Sequence, residues 1–103
     1  MAEHELKCDP APFDAVWCGN KSHEIRLDDR GFKDGDTLRL KKTSDDGAFY
    51  NKTGEKPIFT GQEMTVVVRH IQRGYGLLPG WVVMSIQVTA RYSRTGRGTT
   101  QSF

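Results

Sequence analysis

Segment 19–36, Gly-Asn-Lys-Ser-His-Glu-Ile-Arg-Leu-Asp-Asp-Arg-Gly-Phe-Lys-Asp-Gly-Asp, sets Lys21, Glu24, Arg26 and Arg30 among glycines and opposed charges. These residue types suit recognition of a polar, planar ligand. A guanidinium fork fits planar acceptors, an ammonium acts as a compact point charge, and a carboxylate accepts from an amine. Lys21 and Arg26 are therefore candidates to hold a phosphate or carbonyl, with Glu24 accepting from a base amine. The same residues read as a catalytic pair if Lys21 is desolvated enough to act as a base while Glu24 relays or receives a proton. The plain alternative is an ion pair from Glu24 to Arg26 or Arg30 that braces a rim, which on an exposed surface contributes roughly 0–1 kcal/mol.

Other side chains gather around this set. Arg30 lies between Asp29 and Gly31 in a turn expected to overhang the site, where it contacts a phosphate or base or else forms a bracing salt bridge. Tyr75 stands between Gly74 and Gly76, which lets its ring project from a tight loop as a stacking platform, against an ordinary role as a loop anchor. Lys7 falls on the outward phase of a first strand and can join the polar rim. Trp17 is read first as core and second as a stacking floor. His23 has no partner motif for hydrolase chemistry and is expected on the core face. Arg39 and Lys41 read as a solvated face.

These residues need rigid elements to hold them. Segment 22–27 alternates as a strand, with Glu24 and Arg26 on one face and His23, Ile25 and Leu27 on the other. Before it, His4 to Cys8 predicts a strand with Leu6 and Cys8 inward. Asp9 and Pro10 then read as the N-cap and first position of a short helix whose Phe13, Val16 and Trp17 make one apolar stripe. Gly19 and Asn20 end that helix. Residues 28–36 are turn chemistry. Residues 36–42 predict a strand with Leu38 and Leu40 inward, and residues 43–57 a long loop without period, mobile or ordered by a partner. Residues 62–71, with three consecutive valines, predict a strand covered on both faces, and residues 81–89 a last strand with Val82, Met84, Ile86 and Val88 inward. Five strands and one helix after the first predict an α+β fold: a small, partly closed five-stranded mixed barrel with the helix plugging one end.

The whole composition narrows the function classes. One domain of 103 residues leaves no interdomain cleft, so a ligand sits on or inside the barrel. No apolar run approaches the roughly 20 residues of a membrane helix, and no secretory signal is visible, so a soluble cytoplasmic protein is expected without a membrane partner. Cys8 and Cys18 are expected to be reduced thiols, and neither a metal site nor a cofactor is expected. The net charge of +2 is concentrated in the tail, where Arg91, Arg94 and Arg97 meet no acid; without them 12 basic residues face 13 acidic ones. A global field for polyanions is thus absent. Domain 1–90 and a basic, disordered tail at 91–103 are the expected division.

The spacing Gly19-x-Lys21-x-x-Glu24-x-Arg26 resembles the ASCH domains of the PUA-like superfamily. Five flanking segments extend the likeness over residues 4–88: His4 to Cys8, Asp29 to Phe32, Gly35 to Leu38, Thr60-Gly61 and Gly74 to Leu77. They look like a subfamily of small ASCH-like proteins of unknown function from bacteria and phages. The resemblance implies a PUA-like barrel with a cleft between helix and motif strand, and binding of RNA or a modified nucleoside. Some ASCH relatives are ribonucleases, and others deacetylate N4-acetylcytidine with a lysine, a threonine and a glutamate. Lys21 matches that lysine, but Glu24 stands where the threonine would be, so the hydroxyl nucleophile is missing.

The resulting expectation is a monomeric module binding RNA or a nucleoside through Lys21, Glu24, Arg26, Arg30, Tyr75 and Lys7. Two alternatives stay open: a modified-nucleoside hydrolase or ribonuclease using Lys21 and Glu24, and a protein-interaction module using the 43–57 loop.

Overall fold

Alternation in the strands sets which side chains the fold encloses, and it holds for most of them. The structure, a computed structural model, describes residues 1–94 and 100–102. In chain order its elements are β1 (Glu3–Cys8), α1 (Pro10–Trp17), β2 (His23–Leu27), β3 (Thr37–Thr43), α2 (Gly47–Thr53), β4 (Phe59–Gln72), β5 (Trp81–Arg94) and β6 (Thr100–Ser102). Leu6 and Cys8 of β1, Leu38 and Leu40 of β3, Met64, Val66 and Val68 of β4, and Val82, Met84 and Ile86 of β5 converge in one core. Phe13 and Val16 of α1 close it, both essentially inaccessible to solvent.

The strand order is β1-β3-β4-β5-β2, with β1 parallel to β3 and the remaining pairs antiparallel. These five strands, with β6 added beside β5, form a mixed sheet that curls into a half-barrel of α+β class. Its edges are β1 and β2, so the open seam lies between the first two strands of the chain. β2 pairs with the start of β5, and β6 extends the same edge of β5 at its far end.

α1 begins as expected at Asp9 with Pro10 in its first turn, yet the Asp9 side chain makes no capping bond. Its Oδ1 instead accepts from the backbone N–H of Gly47 at 3.1 Å, tying α1 to α2. Past the helix, Gly19 takes φ +87°, a left-handed turn that glycine adopts without steric cost and that delivers Lys21 towards β2.

Four features depart from the sequence reading. Residues 43–57 are not an unstructured loop, because α2 forms there and makes a second helix. Asp46 caps it by accepting from Phe49 N–H at 2.8 Å, and Gly54 ends it at φ +73°. The buried Tyr50 organises the flanks: its hydroxyl oxygen lies 3.0 Å from Ser44 Oγ and accepts from the N–H groups of Asp45 and Ile58 at 3.3 and 3.2 Å. Tyr50→Phe is expected to lower unfolding free energy by about 1–2 kcal/mol, since three polar groups lose one partner. Urea denaturation measures this, with faster amide exchange at Asp45 and Ile58 as its local sign.

The second departure is the phase of β2. Glu24 is buried, whereas His23, Ile25 and Leu27 are exposed, so the apolar residues face out and the charged ones in. His23 is therefore not a core residue. It lies beside Ser85 on the outer face of the sheet. Hydrophobic alternation misleads here because the inward side of β2 carries an ion-paired cluster, Glu24 with Lys21 and Arg26, in place of core. Third, Val67 is half-buried while Val66 and Val68 are buried, so the valine run is only partly covered on its second face. Fourth, β5 continues through Arg94 where a tail without order was expected, and Thr100–Ser102 pair back on it as β6; residues 95–99 and 103 of that tail lie outside the described residues.

Candidate functional site

The seam between β1 and β2 opens into a cleft of about 440 Å³. At its base sits the Glu24 carboxylate, 3% exposed, with one cation on each oxygen. Lys21 Nζ donates to Oε1 at 3.2 Å, and Arg26 Nε donates to Oε2 at 3.0 Å. The inverted phase of β2 points Glu24 and Arg26 inward together, and the turn after α1 adds Lys21. A carboxylate so withdrawn from water persists only if paired and hydrogen-bonded, and both conditions are met.

The cations are half-buried and keep donors to spare. An ammonium has three N–H groups and Lys21 uses one on Glu24; a guanidinium has five, of which Arg26 commits Nε to Glu24 and Nη2 to the Lys7 carbonyl at 2.8 Å. The last bond crosses the seam. Arg30 makes a second crossing, donating from Nη1 to the Glu5 carbonyl at 2.7 Å and from Nε to Asp29 at 3.3 Å. Two guanidiniums thereby satisfy β1 carbonyls on an edge that no strand among the described residues covers.

Of the residues singled out in the sequence, Lys7, Lys21, Glu24 and Arg26 line the cleft. Arg30 does not line it and serves as a latch on its rim. Tyr75 does not line it either, and its ring is 91% exposed at the tip of the β4–β5 loop. Trp17 packs against the core, with its ring 5.8 Å from that of Phe13. Arg39 and Lys41 pair on the outer surface with Glu63 and Glu5. Trp81, Phe32, Asp9 and Asp29 also line the cleft, and sequence reading did not select them. Trp81 opens β5 opposite Leu27, so the pairing of β2 with β5 was the signal needed to find it.

Cys8 is the one thiol on the cleft wall. Burial, followed by the nearby Glu24 carboxylate, pushes it up to about 12, so it stays protonated near neutral pH and is a poor nucleophile. Among the described residues, no hydroxyl or imidazole side chain belongs to the cleft lining, and no group of three or more His, Cys, Asp or Glu is placed to hold a metal ion.

The wall beyond β2 is built by Asp28. Its Oδ1 accepts from the N–H groups of Gly31 and Phe32 at 2.8 and 3.0 Å, and its Oδ2 accepts from Arg73 Nη2 at 2.7 Å. Burial would raise this carboxyl, but the Phe32, Arg73, Arg30 and Gly31 donors outweigh it and hold it down at about 2. A group depressed in the folded state stabilises fully above its unfolded value, about 3.9, and the contribution is lost as pH falls through its folded value. Stability is thus expected to drop between about pH 4 and pH 2, less steeply in Asp28→Asn, which keeps the amide acceptor without the charge. Denaturation midpoints across that window measure the difference.

The chain matches no curated protein closely enough to take its function from a relative. A family model described only as a domain of unknown function matches residues 3–86, from the start of β1 into β5, and so includes every strand that borders the cleft. By that match over most of its length, the chain belongs to the DUF3850 family.

Proposed function

We propose that this protein is a non-catalytic RNA- or modified-nucleoside-binding module of ASCH type and PUA-like fold, with its ligand in the seam cleft. The observation that carries this reading is the buried Glu24 held between Lys21 and Arg26 at the base of an open cleft. An acceptor flanked by donors complements the edge of a nucleobase, where amine and carbonyl groups alternate. The cleft volume lies in the range of small-ligand sites, about 300–1,000 Å³.

Charge favours a single nucleoside or an unpaired base over a duplex backbone. Lys7, Lys21 and Arg26 on the cleft wall are balanced by Asp9, Glu24 and Asp29, so the site lacks the positive surplus that binds phosphate runs. Trp81 and Phe32 supply the apolar wall that a base needs. The hydrolase reading retains the contact between Lys21 and Glu24, but it has only a protonated Cys8 thiol in place of a hydroxyl nucleophile.

Calorimetric titration with cytidine, N4-acetylcytidine and short single-stranded RNA tests the proposal. Lys21→Ala is expected to weaken the tightest of these at least tenfold, about 1.4 kcal/mol, with the fold intact. Unchanged affinity in Lys21→Ala would remove the cleft from the account. Chromatography of the N4-acetylcytidine mixture is expected to show no deacetylation; Lys21-dependent product would establish the hydrolase instead.

A further inference from the structure

Tyr75 is the one non-glycine residue among the described residues with positive φ, at +53°, and Gly74 and Gly76 beside it take +74° and +88°. The glycines adopt this geometry without cost, so the unfavourable backbone is at Tyr75 alone, and such backbone collects at sites where function uses it. Leu77 is half-buried, but the Tyr75 side chain itself repays nothing by packing. The Tyr75 ring is 91% exposed and Leu78 is 71% exposed, two large apolar groups left in water on one short segment.

The feet of this loop stand next to the cleft residues Leu27, Asp29 and Trp81. Arg73 at one end is bonded to Asp28, and the Gly80 carbonyl at the other accepts from Asp28 N–H at 2.7 Å. Asp28 lies between the cleft residues Leu27 and Asp29, and Trp81 follows Gly80 directly. At Gly80, with φ +85°, an added Cβ would come within 3.3 Å of Leu27 Cδ1, so the loop passes close against this exposed side chain at the cleft's edge. Leu27 and Trp81 are themselves 51% and 38% exposed. The rim and the loop each carry uncovered apolar surface, one adjoining the other, with glycines at 74, 76 and 80 able to absorb the rotation that brings them together.

We propose that segment 74–80 is a lid that closes over the seam cleft and lays Tyr75 and Leu78 on its contents. This rests on reading the cleft as a nucleoside site, in which the Tyr75 ring covers the face of the base opposite the cleft wall. In the free protein the loop stands open and samples the closed position; a bound base holds it shut.

Closure is tested first without any ligand. A nitroxide is attached at Leu78→Cys in the full chain carrying Cys18→Ser, with the buried Cys8 left in place, and paramagnetic broadening of backbone amides is recorded. Broadening at Lys7 and Lys21, on the wall away from Leu27 and Trp81, is expected, and it should weaken when Tyr75→Ala is added. Broadening confined to residues 27–32 and 72–82 would overturn the lid, whether or not nucleosides bind. The second arm uses N4-acetylcytidine as probe: Tyr75→Ala is expected to speed its dissociation about tenfold, and Tyr75→Phe to leave it within a factor of two. Equal dissociation from Tyr75→Ala and the parent also overturns the lid. A parent that shows the broadening but binds no nucleoside keeps the lid and removes the proposed ligand class.

Discussion

Arg26→Ala is expected to lower unfolding free energy by about 2–4 kcal/mol, because one side chain makes two charge-assisted bonds that nothing nearby replaces. Its Nη2 donates to the Lys7 carbonyl across the seam, and its Nε holds one oxygen of the buried Glu24. Without it, Glu24 keeps only Lys21, and a β1 carbonyl on the uncovered edge turns to water. Arg26→Lys should recover little, since a single ammonium on a flexible stem cannot reach both acceptors at once as the guanidinium fork does. Amide exchange should rise in β1 and β2 and stay unchanged in the centre of β4, where the Met64, Val66 and Val68 side chains are fully enclosed. Arg30→Ala removes the other crossing, but that side chain is 41% exposed, so its effect should be the smaller. Equal losses from the two variants would mean that Glu24 contributes nothing to the role of Arg26.

Glu24→Ala is expected to cost about 2–3 kcal/mol. Removing one member of a fully buried ion pair costs about 3–5 kcal/mol through the charge left stranded. Here the stranded groups are Lys21 and Arg26, with side chains 20% and 25% exposed, and they can swing partly into water, which brings the figure down. Glu24→Gln keeps the volume and one acceptor oxygen, so it should lose about half as much. Urea denaturation at pH 7 separates the three proteins. A change below about 0.5 kcal/mol in Glu24→Ala would place this triad with ordinary surface salt bridges.

Most elements were legible because their side chains obey one simple rule. Leu6 and Cys8, Leu38 and Leu40, and Val82, Met84 and Ile86 alternate into the core as the sequence predicts, and Phe13 and Val16 mark the inner face of α1. β2 obeys the opposite rule: Ile25 and Leu27 are exposed, and the buried position goes to Glu24 with its two cations. The clue was the acid itself. Glu24 has cations three residues before it and two after it, the latter on the same strand face, an arrangement suited to a carboxylate taken out of water. α2 escaped notice because seven residues show no useful period, and its order comes from Tyr50, whose hydroxyl bonds to Ser44, Asp45 and Ile58 leave no periodic signature in the sequence. Lys21, Glu24 and Arg26 were found together from spacing alone. The latch role of Arg30 was not, because its partner is a carbonyl of β1, and only the sheet order brings that strand opposite β2.

On the proposed function, the cleft between β1 and β2 is where this protein holds its ligand. Amide shift mapping during titration of isotope-labelled full-length protein with N4-acetylcytidine, cytidine and short single-stranded RNA tests it most directly. The predicted result is saturable shifts at Lys7, Lys21, Glu24, Arg26 and the Trp81 indole N–H, abolished together by Lys21→Ala. Shifts confined to the outer face around Arg39 and Lys41, or no saturable shift with any of the three, would contradict it.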